Sequence, residues 1–177
     1  MPFKTTDIEG LLIFEPRVFA DDRGYFYESY NKNTFAEGGI HDDFVQENQS
    51  KSTYGVLRGL HYQTGEHAQS KLVRVLEGKV LDVAIDIRPK SPTYGQHYAI
   101  ELSGENHLQF YVPRGFAHGS TFHCLSRFQV RAEPHRPVDM ELGEILTPVP
   151  NIKALQRCDF TIQCLLGKLF GVFSVVQ

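Results

Sequence analysis

Cysteine is scarce in this chain. Its three cysteines, Cys124, Cys158 and Cys164, are too few for a disulfide framework, and none sits in a Cys-x-x-Cys pair. Positive charge is not in excess: Lys and Arg number 18 against 21 Asp and Glu, giving a formal charge of −3 and a pI near 6.2. That excludes a nucleic-acid protein held by bulk positive charge, while a local basic pocket for a small anion stays open. No run approaches the ~20 apolar residues of a membrane-spanning helix, and Met1-Pro2-Phe3-Lys4 begins no apolar signal region. A cytoplasmic protein without membrane contact is the expectation. Internal repeats, linkers and low-complexity tracts are absent. Tyrosine is missing from the last third, since all eight lie at or before Tyr111, whereas all three cysteines lie beyond it.

What is present suits one domain over 1–177. Hydrophobic residues make up 41% and charged residues 22% of 177 positions, enough to bury a core and too apolar for disorder. Turn signals recur at short intervals. Gly24 precedes the aromatic stripe Tyr25-Phe26-Tyr27, read as sheet packing. Gly38-Gly39 closes a segment in which Thr34-x-x-Glu37 predicts a capped helical turn or two. From Lys71 the pattern is β. Leu72 to Leu76 runs to Glu77-Gly78-Lys79, read as a hairpin, and then Val80 to Arg88 alternates. There Val83, Ile85 and Ile87 would face one side, and Asp82, Asp86 and Arg88 the other. His97 to Leu102 and Leu108 to Val112 follow, separated by a turn at Gly104-Glu105-Asn106. Short strands so regularly spaced, without long helices between them, predict an all-β sandwich or jelly roll with short helical turns. After about Ser120 the pattern weakens, and 120–177 reads as an atypical tail.

Two clusters carry chemistry. In Gly55-Val56-Leu57-Arg58-Gly59-Leu60-His61-Tyr62-Gln63, His61 and Gln63 would share a strand face, and Pro113-Arg114-Gly115-Phe116-Ala117-His118 is the second. With Lys71 seven residues before Gly78, these resemble the two signatures of the cupin jelly rolls (double-stranded β-helices). Metal-binding cupins use three His and one Glu. Here Gln63 and Lys71 stand at two of those positions, and an ammonium has no lone pair and repels a dication. The resemblance therefore predicts the barrel without a metal. A metal cupin is the weakest of the readings.

A closer resemblance runs in fixed order from about residue 8 to Gly119. Phe19 to Ser29, Phe44 to Ser50, Gly55 to Gln63, Lys71 to Arg74, Asp82 to Arg88, Ser91 to Gly95 and Pro113 to Gly119 resemble the dTDP-4-dehydrorhamnose 3,5-epimerase family. The resemblance implies conversion of dTDP-4-dehydro-6-deoxy-D-glucose to dTDP-4-dehydro-L-rhamnose, without a metal or organic cofactor. Hydrogens at C3 and C5 are α to the C4 ketone, so the reaction needs a base, a cation at the enolate oxygen and an acid on the opposite face. By resemblance His61 is the base, Lys71 stabilises the enolate, and His118 shares their pocket. Arg23, Glu28, Gln46, Asn48 and Arg58 match substrate-holding positions, and arginine forks suit a pyrophosphate. The Arg23 region of the family reaches a neighbouring subunit, so a homodimer is implied. The other histidines, His41, His67, His97, His107, His123 and His135, are read as surface or core residues.

The resemblance breaks in the tail. The family's proton donor is a tyrosine in a Phe-x-Tyr-Lys segment about 13 residues after the His118 position. Here that slot holds Arg131, or Val130 if Phe128 is the family's Phe, and neither can donate a proton at neutral pH. Leu155-Gln156-Arg157-Cys158-Asp159 keeps the Leu-to-Asp spacing of the aspartate that pairs with the base, making Asp159 the candidate, while Cys158 replaces a substrate-binding Lys. A shifted reading frame, a hybrid gene or divergence would each leave this mark. Two alternatives stay open beside full epimerisation: a nucleotide-sugar-binding or inactive homologue, and an epimerase of one carbon only.

Overall fold

Alternating apolar residues build two facing walls. The computed structural model describes residues 2–121 in full and, beyond them, the backbone of three strands. The strands are β1 (Phe3–Thr5), β2 (Leu12–Phe14), β3 (Phe19–Asp21), β4 (Gly24–Phe26), β5 (Glu47–Thr53), β6 (Leu57–His61), β7 (Lys71–Glu77), β8 (Lys79–Asp86), β9 (His97–Ser103), β10 (Gln109–Val112) and β11 (Phe116–Thr121). The backbone-only strands are β12 (Phe128–Ala132), β13 (Arg136–Met140) and β14 (Phe170–Val176). One sheet runs β1-β2-β10-β7-β14-β5 and the other β6-β11-β8-β9. Ile13, Val73, Val75, Phe110 and Val112 of the first meet Val80, Ala84, Leu102 and Phe116 of the second. The architecture is a cupin-type jelly roll. Among the described residues, no helix is long and apolar enough to cross a membrane.

The six-stranded sheet is also covered outside. Leu72 and Tyr111, out of phase with Val73 and Phe110, join Phe14, Phe35 and Ile40 in a second cluster. Phe35 belongs to helix α1 (Lys32–Glu37), and its ring lies 4.8 Å from Phe14 and 5.1 Å from Phe3. The cap of α1 is Asn31 rather than Thr34. Asn31 Oδ1 accepts from the amides of Asn33 and Thr34, so the helix starts earlier than the Thr34-x-x-Glu37 pattern predicts.

Two further expectations are corrected, and the inward face of β8 is assigned. Glu77-Gly78-Lys79 does not close a hairpin, because β7 and β8 lie in different sheets. With Gly78 at φ 77° the chain turns a corner, and Val73 and Val80 enter one core from opposite walls instead of lying side by side. The alternation of β8 holds, but its carboxylate face points inward: Val80, Asp82, Ala84 and Asp86 are all 0% exposed. Asp86 is satisfied there by Arg88, Ser91 and Thr93, which fasten the following loop. The stripe Tyr25-Phe26-Tyr27 is not packed in a sheet core. Among the described residues β3 and β4 pair only with each other, and Phe26 is 71% exposed. The apolar run near the C-terminus, which has no clear period, supplies β14, hydrogen-bonded between β7 and β5.

Candidate active site

Strand phase brings the chemistry together. Lys71 is in phase with Val73 and Val75, so β7 directs it between the sheets. On β11, His118 and Ser120 are in phase with core Phe116 and are buried at 7% and 3% exposure. His118 stands directly opposite His61 of β6, and Ser120 opposite Arg58. The partners are two apart on β11 but three apart on β6. A bulge absorbs the extra residue and turns both His61 and Arg58 to one face. Glycine makes this possible: a Cβ on Gly59 would lie 2.5 Å from Gly119 Cα, and one on Gly119 would lie 2.7 Å from the Arg58 carbonyl oxygen. Gln63 lies beyond the end of β6, so it does not share a strand face with His61.

Asp82 completes the cluster and is the residue that sequence reasoning missed. Its Oδ1 lies 2.7 Å from His118 Nε2, and its Oδ2 is buried with no hydrogen-bond partner among the described residues. The available signal was its phase. Asp82 alternates with the apolar Val80 and Ala84, among which an unpaired carboxylate would be costly. Arg58 is held by Nε donation to Ser52 Oγ at 2.8 Å.

The electrostatics follow from this crowding. Burial pushes the Lys71 ammonium below its ordinary pKa, with the Asp82 charge opposing the shift. His61 is open to solvent as a residue. Its imidazole is still held below its usual value, first by the protein packed around it, then by the charges of Lys71, His118 and Arg58. A neutral imidazole beside an ammonium and a carboxylate-held second imidazole can remove a carbon-bound proton and stabilise the resulting oxyanion.

The remaining candidates lie elsewhere. Arg23, in the β3–β4 turn, is 89% exposed along its side chain and pairs with Asp21 at 2.6 Å. Glu28 accepts from Asn31 Nδ2, and Gln46 donates to Asn48 Oδ1 at 3.2 Å near the start of β5. Asp159 lies outside the described residues. Val130 and Arg131 fall on β12, which pairs with β13 in a separate two-stranded sheet.

A family model described as dTDP-4-dehydrorhamnose 3,5-epimerase matches residues 5–129. The chain belongs to that family. The epimerase of Shigella flexneri is 56% identical over 115 residues, which cover 64% of this chain and 64% of that protein. The chain thus spans less than two thirds of that relative's length. Among solved structures, the dTDP-4-dehydrorhamnose 3,5-epimerase of Elizabethkingia anophelis is 42% identical with a TM-score of 0.70, covering 98% of this chain and 72% of its own. The dTDP-6-deoxy-D-glucose-3,5-epimerase of Legionella pneumophila, solved with dTDP-4-keto-L-rhamnose, is 37% identical with a TM-score of 0.71, covering 98% and 69%. The epimerase family model extends past Gly119 and ends inside β12, so all of β6, β7, β8 and β11 lies within it.

Proposed function

We propose that this chain epimerises dTDP-4-dehydro-6-deoxy-D-glucose at C3 and C5 to dTDP-4-dehydro-L-rhamnose, on the route to dTDP-rhamnose, in the cytoplasm and without a cofactor. The convergence of His61, Lys71 and the His118–Asp82 pair carries this reading. The ring nitrogen of neutral His61 takes the proton from C3 or C5. The C–H electron pair becomes the enolate double bond, and the carbonyl π pair moves to O4. Lys71 holds that oxyanion, with His118 beside it in the same pocket. Protonation of the carbon by solvent water on the opposite face returns O4 to the ketone and inverts the carbon, and His61 passes its proton to the hydroxide left behind. Asp159 orients His61 in this reading. Arg58, Glu28, Gln46 and Asn48 hold the dTDP portion, with Arg23 supplied by the second copy of a homodimer. A metal does not suit the pocket, because Lys71 adds a positive charge where a fourth ligand would stand.

One observation favours a second reading. With no tyrosine after Tyr111, the family's opposite-face donor is missing from its segment. A water reaching one carbon only would permit one epimerisation and slow the other; loss of both leaves a dTDP-sugar-binding protein. Incubation with dTDP-4-dehydro-6-deoxyglucose in D2O separates these outcomes. Deuterium at C3 and C5 is the expected result, and deuterium at one carbon identifies a single-centre enzyme. Calorimetric binding without exchange by folded protein rejects the epimerase reading.

A further inference from the structure

Among the described residues the β3–β4 hairpin pairs with no other strand, and its Phe19, Tyr25 and Phe26 are 52%, 59% and 71% exposed. Its direction therefore depends on side-chain contacts at its base. Tyr25 and Tyr27 stack on each other at 5.9 Å, and both rings meet the imidazole of His107, at 4.6 and 4.9 Å. These separations lie in the range where aromatic rings attract. Two residues after Tyr27 the chain is tied down again, where the Ser29 carbonyl accepts from buried Gln109 Nε2 at 2.7 Å. His107 is itself firmly placed. Asn106 Oδ1 accepts from the amides of Ser103 and Leu108, its Nδ2 donates to the Glu101 carbonyl, and its own amide donates to Ser103 Oγ. This turn leaves His107 at φ 54°, in the left-handed region. Glycine or asparagine would meet that backbone need. An imidazole there adds a ring where two tyrosines converge.

We propose that His107 is a positioning residue: gripped by Tyr25 and Tyr27, it fixes the direction of the β3–β4 hairpin and so the place to which Arg23 is delivered. The functional half rests on the epimerase reading, in which Arg23 holds substrate. The test compares His107→Asn, which suits the left-handed turn but lacks the ring, with His107→Phe, which keeps a ring. His107→Asn should raise KM for the dTDP-sugar about fivefold to tenfold, leave kcat within about twofold, and increase amide deuterium uptake across residues 19–27. His107→Phe should restore both toward wild type. Unchanged KM and unchanged uptake in His107→Asn overturn the proposal, as does a fall in kcat with KM untouched. If the wild-type chain shows no turnover, the epimerase reading fails by itself. Hairpin deuterium uptake and calorimetric dTDP affinity then decide the clamp: both altered in His107→Asn supports it, and both unchanged overturns it.

Discussion

Asp82 enters the wall of the jelly roll in phase with Val80 and Ala84, which pack in the core. A bare carboxylate there would be costly, and the imidazole of His118 at 2.7 Å makes the placement tolerable. The same charge steadies Lys71, whose pKa burial pulls down and Asp82 pulls up. Two pH effects follow. His61 must be neutral to act as base, and its folded pKa is lowered, so activity should rise through an acidic limb below the ordinary imidazole value of ~6.5. Lys71 must be charged to hold an enolate, so activity should fall as pH rises through its lowered pKa. In Asp82→Asn the opposing charge is gone, and the alkaline limb should move to still lower pH. The pH dependence of kcat/KM in both proteins checks this, and an acidic limb at or above ~6.5 contradicts it.

At the scale of elements, the site depends on one bulge. His61 and Arg58 reach one face only because β6 carries an extra residue opposite β11, where Gly59 and Gly119 nearly touch. Gly59→Ala would drive a methyl into the Gly119 backbone at a φ of 131°. We expect a loss of about 1–3 kcal/mol in denaturant unfolding, together with reduced exchange activity as His61 and His118 lose register. Unaltered stability and activity would show that the bulge is not needed. Much of this architecture is legible in the sequence. Period-two alternation marks β7 to β10, and the motifs place His61, Lys71 and His118 in one pocket. Alternation cannot say which neighbour a strand pairs with, so Glu77-Gly78-Lys79 resembles a hairpin although it is a corner. Nor does it say which face is interior when both carry apolar residues, which hides Asp82. The bulge is invisible because it arises from two glycines far apart in sequence that meet only in the folded sheet.

At the scale of the whole molecule, the exposed hairpin and the terminal strand matter most. Phe19 and Phe26, paired across the β3–β4 hairpin, are 52% and 71% exposed, suited to burial against a second copy in the proposed homodimer. Light scattering should give twice the 20.1 kDa chain mass, and Phe26→Glu should shift the protein toward the monomer; a monomeric wild-type chain would contradict this. Strand β14 lies between β7 and β5, hydrogen-bonded to both, so a proline at Val175 would interrupt the six-stranded sheet. That variant should melt at a lower temperature than wild type, and an unchanged melt would contradict the pairing. Whether His61 removes a carbon-bound proton beside Lys71 is read from the rate of solvent deuterium entry into dTDP-4-dehydro-6-deoxyglucose with wild-type protein and with folded His61→Ala. A base at His61 requires a fall of about 10²–10⁴-fold or more in the variant. Equal rates in the two proteins would contradict it.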